Sequence, residues 1–71
     1  MSKYQDNVIN LIKREMREKN LTQKDFARMI GISEASLSRY LAKHRTFSLT
    51  QAIKLADYFK ISLDRLVGRW N

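Results

Sequence analysis

Four times in this chain an apolar residue is followed by Ser or Thr, then three residues, then a second apolar residue. The phrases are LTQKDF from Leu21, ISEASL from Ile32, FSLTQA from Phe47 and ISLDRL from Ile61. Each is the spacing of a helix N-cap flanked by a hydrophobic staple. The hydroxyl accepts a hydrogen bond from a free backbone N–H of the first turn, and the flanking pair sets the angle at which the chain arrives. Gln51 completes a capping box with Ser48, and Asp25 stands at the matching place after Thr22. Four caps therefore predict helix starts at Thr22, Ser33, Ser48 and Ser62.

A further helix precedes them. Tyr4, Val8, Leu11, Ile12 and Met16 recur at helical spacing as one stripe, with Lys13, Arg14 and Arg17 mostly off it. Asn20 is suited to close that helix, because asparagine tolerates the left-handed conformation. The predicted helices are 4–19, 23–30, 34–43, 49–59 and 63–67. Proline is absent, glycine occurs only at Gly31 and Gly68, and no linker, repeat or low-complexity segment is visible. The expectation is one compact all-α domain over residues 1–71.

Helices two and three are joined by GIS. Gly31 suits a left-handed C-cap, Ala27 offers a small residue for close approach, and Ile30, Ile32, Leu37 and Tyr40 supply the apolar contacts. The combination fits a helix-turn-helix with its core over about residues 22–42, the alternative being an ordinary helical hairpin.

Charge narrows the partners. Fourteen Lys and Arg against seven Asp and Glu give a net charge of +7, which favours a polyanionic partner over a basic protein with none. The chain has no cysteine, no apolar run long enough to cross a bilayer and no signal-peptide pattern, so a cytoplasmic, nucleoid-associated protein without disulfides is expected. No metal-ligand cluster, nucleophile–base arrangement or phosphate-cradling glycine loop is visible. An enzyme, a cofactor and a metal centre are accordingly not expected. His44, the single histidine, reads as a loop residue.

With LTQKDFARMIGISEASLSRYL followed by SLTQAIKLADYFKISLDRLVG, the chain resembles the Cro/repressor-type helix-turn-helix family of phage and bacterial transcription regulators. The resemblance covers Leu21 to Gly68. It implies a five-helix, lambda-repressor-like DNA-binding domain whose third helix enters the major groove.

On a helical wheel Leu37, Tyr40 and Leu41 share one side of that helix, while Ala35, Ser38, Arg39 and Ala42 lie opposite and Glu34 and Ser36 flank them. Glu34, Ala35, Ser38 and Arg39 are the base-contact candidates. Arg39 can bond guanine O6 and N7 bidentately or hold a phosphate. Glu34 can accept from a cytosine amino group or stabilise the positive end of its own helix. Ala35 can touch a thymine methyl. Gln23, Ser33, Ser36, Lys43, Arg45 and Thr46 are the phosphate candidates, Gln23 because the matching glutamine of the family anchors the DNA backbone. For Lys43, Arg45 and Thr46, in the run KHRT, the alternative is a solvated loop.

The chain departs from the family at four places. Met16 and Leu41 stand where many relatives pair arginine with glutamate, and they are expected to touch each other. Lys43 and Phe47 stand where relatives often carry glycine and proline, so a longer third helix is expected. Glu15, within the apolar arc of helix one, requires solvent or a basic partner.

Operators of this class are usually palindromic, which implies a homodimer on DNA. Val67 and Trp70 are the candidates for a dimer or partner contact, against simple packing on helix one. The chain length resembles Cro-like proteins more than two-domain repressors. Two further readings of the same fold are an antirepressor or co-repressor that binds another repressor protein, and an antitoxin.

Overall fold

The structure is a computed structural model that describes residues 3–67, with side chains described over residues 5–66. It contains five helices, α1 (Lys3–Lys19), α2 (Gln23–Ile30), α3 (Glu34–Leu41), α4 (Leu49–Phe59) and α5 (Leu63–Val67). The expected all-α architecture and all five helices are present.

The four Ser and Thr caps form as the spacing requires. Thr22 Oγ1 accepts from Asp25 N–H at 3.0 Å while Asp25 returns a bond to Thr22 N–H at 3.1 Å. Ser48 and Gln51 form the second reciprocal box. Ser33 accepts from Ser36 N–H, and Ser62 accepts from Arg65 N–H.

The first four helices also end alike. A residue at positive φ closes each one: Asn20 at 54°, Gly31 at 77°, Lys43 at 65° and Lys60 at 57°. The next N–H then reaches back to the last full turn, from Leu21 to Met16 (2.8 Å), Ile32 to Ala27 (3.0 Å), His44 to Arg39 (2.9 Å) and Ile61 to Ala56 (3.1 Å). This satisfies carbonyls that the helix itself leaves open.

Here the third helix departs from expectation. It stops at Leu41, not at 43, because Lys43 takes the left-handed role that relatives give to glycine. A lysine there costs about 1–2 kcal/mol of backbone strain. Its ammonium gains an ion pair with Asp6 Oδ1 at 2.7 Å, on α1.

The core gathers Val8, Ile9 and Ile12 of α1, Phe26, Ala27 and Ile30 of α2, Leu37 and Leu41 of α3, Leu55 and Ala56 of α4, and Leu66 of α5. Helix α1 packs on α5, α2 on α3, and α4 on both α2 and α5. Phe26 meets the edge of Tyr58 at 5.3 Å between ring centres.

The buried stripe of α1 is rotated from the one expected. Gln5, Val8, Ile9 and Ile12 are buried, while Leu11 and Met16 are only half-buried; the side chain of Tyr4 lies outside the described residues. The cause is Gln5, a polar residue in phase with the core whose three hydrogen bonds let it stay there. Met16 packs against the cluster that holds Leu41. Leu63, expected in the core, is half-buried. Glu15 finds both a base and a hydroxyl: Lys19 Nζ stands 2.9 Å away, and Tyr58 Oη donates to it at 2.6 Å. The Lys19 bond, with help from Tyr58, holds the Glu15 carboxyl below its ordinary range.

Candidate nucleic-acid interface

Helices α2 and α3 are fastened by one turn. Gly31 ends α2 and Ser33 begins α3, leaving Ile32 to serve both junctions. A methyl added at Gly31 would meet only the tip of Lys54, at 3.7 Å, so it is the φ of 77° and not crowding that favours glycine. The turn fixes the rotation of α3 about its own axis. Leu37, Tyr40 and Leu41 are buried beneath it.

What remains outside is the face expected from the wheel. Glu34, Ala35, Ser38 and Arg39 are all exposed, in line along one side of α3. Gln23, at the first position of α2, is exposed too. Ser33 and Ser36 sit at the N-terminus of α3, where Ser33 Oγ donates to Ser36 Oγ at 2.9 Å and also accepts the Ser36 N–H. Each hydroxyl is therefore partly committed to its neighbour.

The segment from Ala42 to Phe47 follows α3 and is exposed from Ala42 to Thr46. Arg45 and Thr46 present their side chains to solvent, as does His44. Lys43 differs from them, because its ammonium is paired with Asp6. Phe47 turns inward and lies on Tyr40, with ring centres 4.3 Å apart. Tyr40 Oη donates to Gln51 Oε1 at 2.6 Å, which ties α3 to the capping box of α4. Of the two residues proposed for a partner contact, Trp70 lies outside the described residues, and Val67 is described only as the last residue of α5.

Two residues of this surface's support escaped the sequence reading. Gln5 Nε2 donates to the carbonyls of Arg45 (2.9 Å) and Tyr40 (3.4 Å), while its Oε1 accepts from Phe47 N–H (3.4 Å). Asp6 holds Lys43. The available signal was phase: Gln5 lies three and four residues before Val8 and Ile9, on the buried side of α1. Nothing in the sequence singled out Asp6 among the seven acids.

A family model described as helix-turn-helix matches residues 12–66. The chain belongs to the Cro/repressor-type helix-turn-helix family. Within the matched span lie both members of the helix pair, the loop after α3 and all of α4. The Asp6 and Gln5 contacts fall outside it. The transcriptional repressor RstR of the cryptic phage CTXphi, from Vibrio cholerae serotype O1, is 39% identical over 51 residues. That match covers 72% of this chain and 46% of the repressor, so it spans about half the length of that relative. No solved structure gives a significant match.

Proposed function

We propose that the protein is a sequence-specific, double-stranded-DNA-binding transcription regulator. In this reading it is a Cro-like repressor that occupies a palindromic operator as a homodimer, with Val67 and Trp70 in the dimer contact. The observation that carries the reading is α3 itself. Its apolar side is consumed by the core, while Glu34, Ala35, Ser38 and Arg39 stand free on the outer side of a turn-locked helix. Membership of a helix-turn-helix family and similarity to a phage repressor support it.

In this mechanism α3 lies in the major groove. Arg39 donates to guanine O6 and N7, Glu34 accepts from a cytosine amino group, Ala35 meets a thymine methyl, and Ser38 bonds whichever edge it faces. Gln23 and the N-terminus of α3, with Ser33 and Ser36, hold phosphates on one side of the groove. Arg45 and Thr46 hold them on the other. Lys43 joins them only by exchanging Asp6 for a phosphate. Occupancy of the operator then excludes polymerase or a rival regulator.

Selection from random duplex DNA tests the reading, and a palindromic consensus is the expected result. Arg39→Ala should weaken that complex by about 1–3 kcal/mol and relax selection at one base pair of each half-site. An Arg39→Ala protein with unchanged selectivity would remove Arg39 from base reading.

A second reading has its own support. The exposed face of α3 carries a single cation beside the acid Glu34, and the Ser33 and Ser36 hydroxyls already bond each other. Such a face suits a regulator that grips another repressor, or an antitoxin that grips a toxin. A gel shift that appears only when the neighbouring regulator is added would favour it.

A further inference from the structure

Gln5 is 95 residues-percent removed from solvent in effect: only 5% of it is exposed, yet its amide serves no purpose within α1. All its partners lie some forty positions away, at the end of α3 and in the loop that follows. The short bond, 2.9 Å, goes to the carbonyl of Arg45. The two at 3.4 Å go to the Tyr40 carbonyl and the Phe47 N–H. The set comprises two acceptors and one donor, which only a carboxamide can answer with one side chain. A methionine of similar length would leave buried backbone groups unpaired, and a glutamate would set its charge against two carbonyls.

The loop needs such a brace. Unlike the α1–α2, α2–α3 and α4–α5 connections, it has no apolar residue behind its left-handed position; His44 stands there, exposed. The side chains of Arg45 and Thr46 start from the stretch of backbone that Gln5 holds. We propose that Gln5 is a positioning residue for phosphate binding: it touches no DNA, and it sets where the cationic loop after α3 meets the backbone of the duplex. This rests on the DNA-binding reading above.

The test uses the full chain, its selected operator duplex and a nonspecific duplex, with binding measured across a range of salt. Each lost phosphate contact makes the slope of log K against log salt shallower by about 0.9. Gln5→Met is expected to flatten the slope by about one to two such steps. It should lower affinity on the order of ten-fold and leave the ratio of operator to nonspecific binding unchanged, since phosphate contacts carry no sequence information. Asn7→Ala is the control. It removes another bond from α1, the one to the Leu66 carbonyl at 3.0 Å on α5, so it should lower the melting temperature without changing the slope.

Three results would overturn the inference. In the first, Gln5→Met melts earlier but keeps the wild-type slope and affinity well below its midpoint. In the second, Asn7→Ala flattens the slope equally. In the third, the wild-type chain shows no salt-dependent binding to any duplex, which removes the DNA reading and this inference together. Should Gln5→Met not fold, Gln5→Asn, which keeps the amide and shortens its reach, is read against the same outcomes.

Discussion

Three of the four helix junctions are built one way and the fourth another. At Asn20–Leu21–Thr22, Gly31–Ile32–Ser33 and Lys60–Ile61–Ser62, a left-handed residue, an apolar residue and a hydroxyl cap follow in immediate succession. The apolar residue packs under the end of one helix and the start of the next. The residue it precedes in the staple, Phe26, Leu37 or Leu66, is fully buried. After α3 the left-handed Lys43 is followed by exposed His44, and three residues intervene before the Phe47–Ser48 staple and cap. The partner in that staple is only Ala52, half-buried. The tight junctions are secured by their own apolar residues and so are rigid and local. The long one is secured by a distant helix, through Gln5 and Asp6, which leaves its own side chains polar and outward. A connection relieved of packing duty is free to be basic.

Substitutions can break this contrast, and the largest effects belong to the tight junctions. Phe26→Ala should cost about 3–5 kcal/mol and Leu37→Ala about 2–5 kcal/mol, because each empties a filled core site. For so small a domain that is a large part of the total stability, and chemical denaturation at 25 °C would show much of either population unfolded. Ala52→Gly, at the equivalent place of the long junction, should cost about 1 kcal/mol.

The left-handed residues sharpen the contrast at a smaller scale. Gly31→Ala should destabilise by about 1–2 kcal/mol, since the methyl has space but the backbone does not favour it. Lys43→Gly should relieve similar strain while giving up an exposed ion pair worth about 0–1 kcal/mol. A melting temperature equal to or slightly above wild type is expected, and a clear fall would mean the Asp6 pair matters more than surface pairs usually do.

The smallest effect separates the two capping boxes. The Thr22 N–H holds the Asp25 carboxyl below its ordinary range, whereas Gln51 does not titrate. A depressed carboxyl supports the fold above its unfolded value and loses that support as pH falls through the lowered one. Amide exchange in the first turn of α2 should therefore speed up on acidification more than in the first turn of α4. Asp25→Asn should remove that pH dependence at α2.

Much of this was legible in order along the chain. Caps, staples and the Gly31 turn act between residues within about six positions of one another, so the helix starts followed from spacing, as did the outward face of α3. The end of α3 did not, because lysine carries little of glycine's preference for positive φ, and nothing local announces that Lys43 will adopt it. The α1 stripe was read one residue off for a related reason. Glutamine counts as polar in any periodicity, and its burial is intelligible only once its partners are present.

The division has a physical basis. By itself the sequence determined where helices begin, that they are all that is built, and which side of α3 is spent on the core, since these depend on short-range hydrogen bonds and on periodicity. Only the tertiary structure decided how the basic loop is held and which of its cations is already paired. Gln5 and Asp6 meet that loop across some forty residues of chain. A contact of that kind exists only after the five helices have packed.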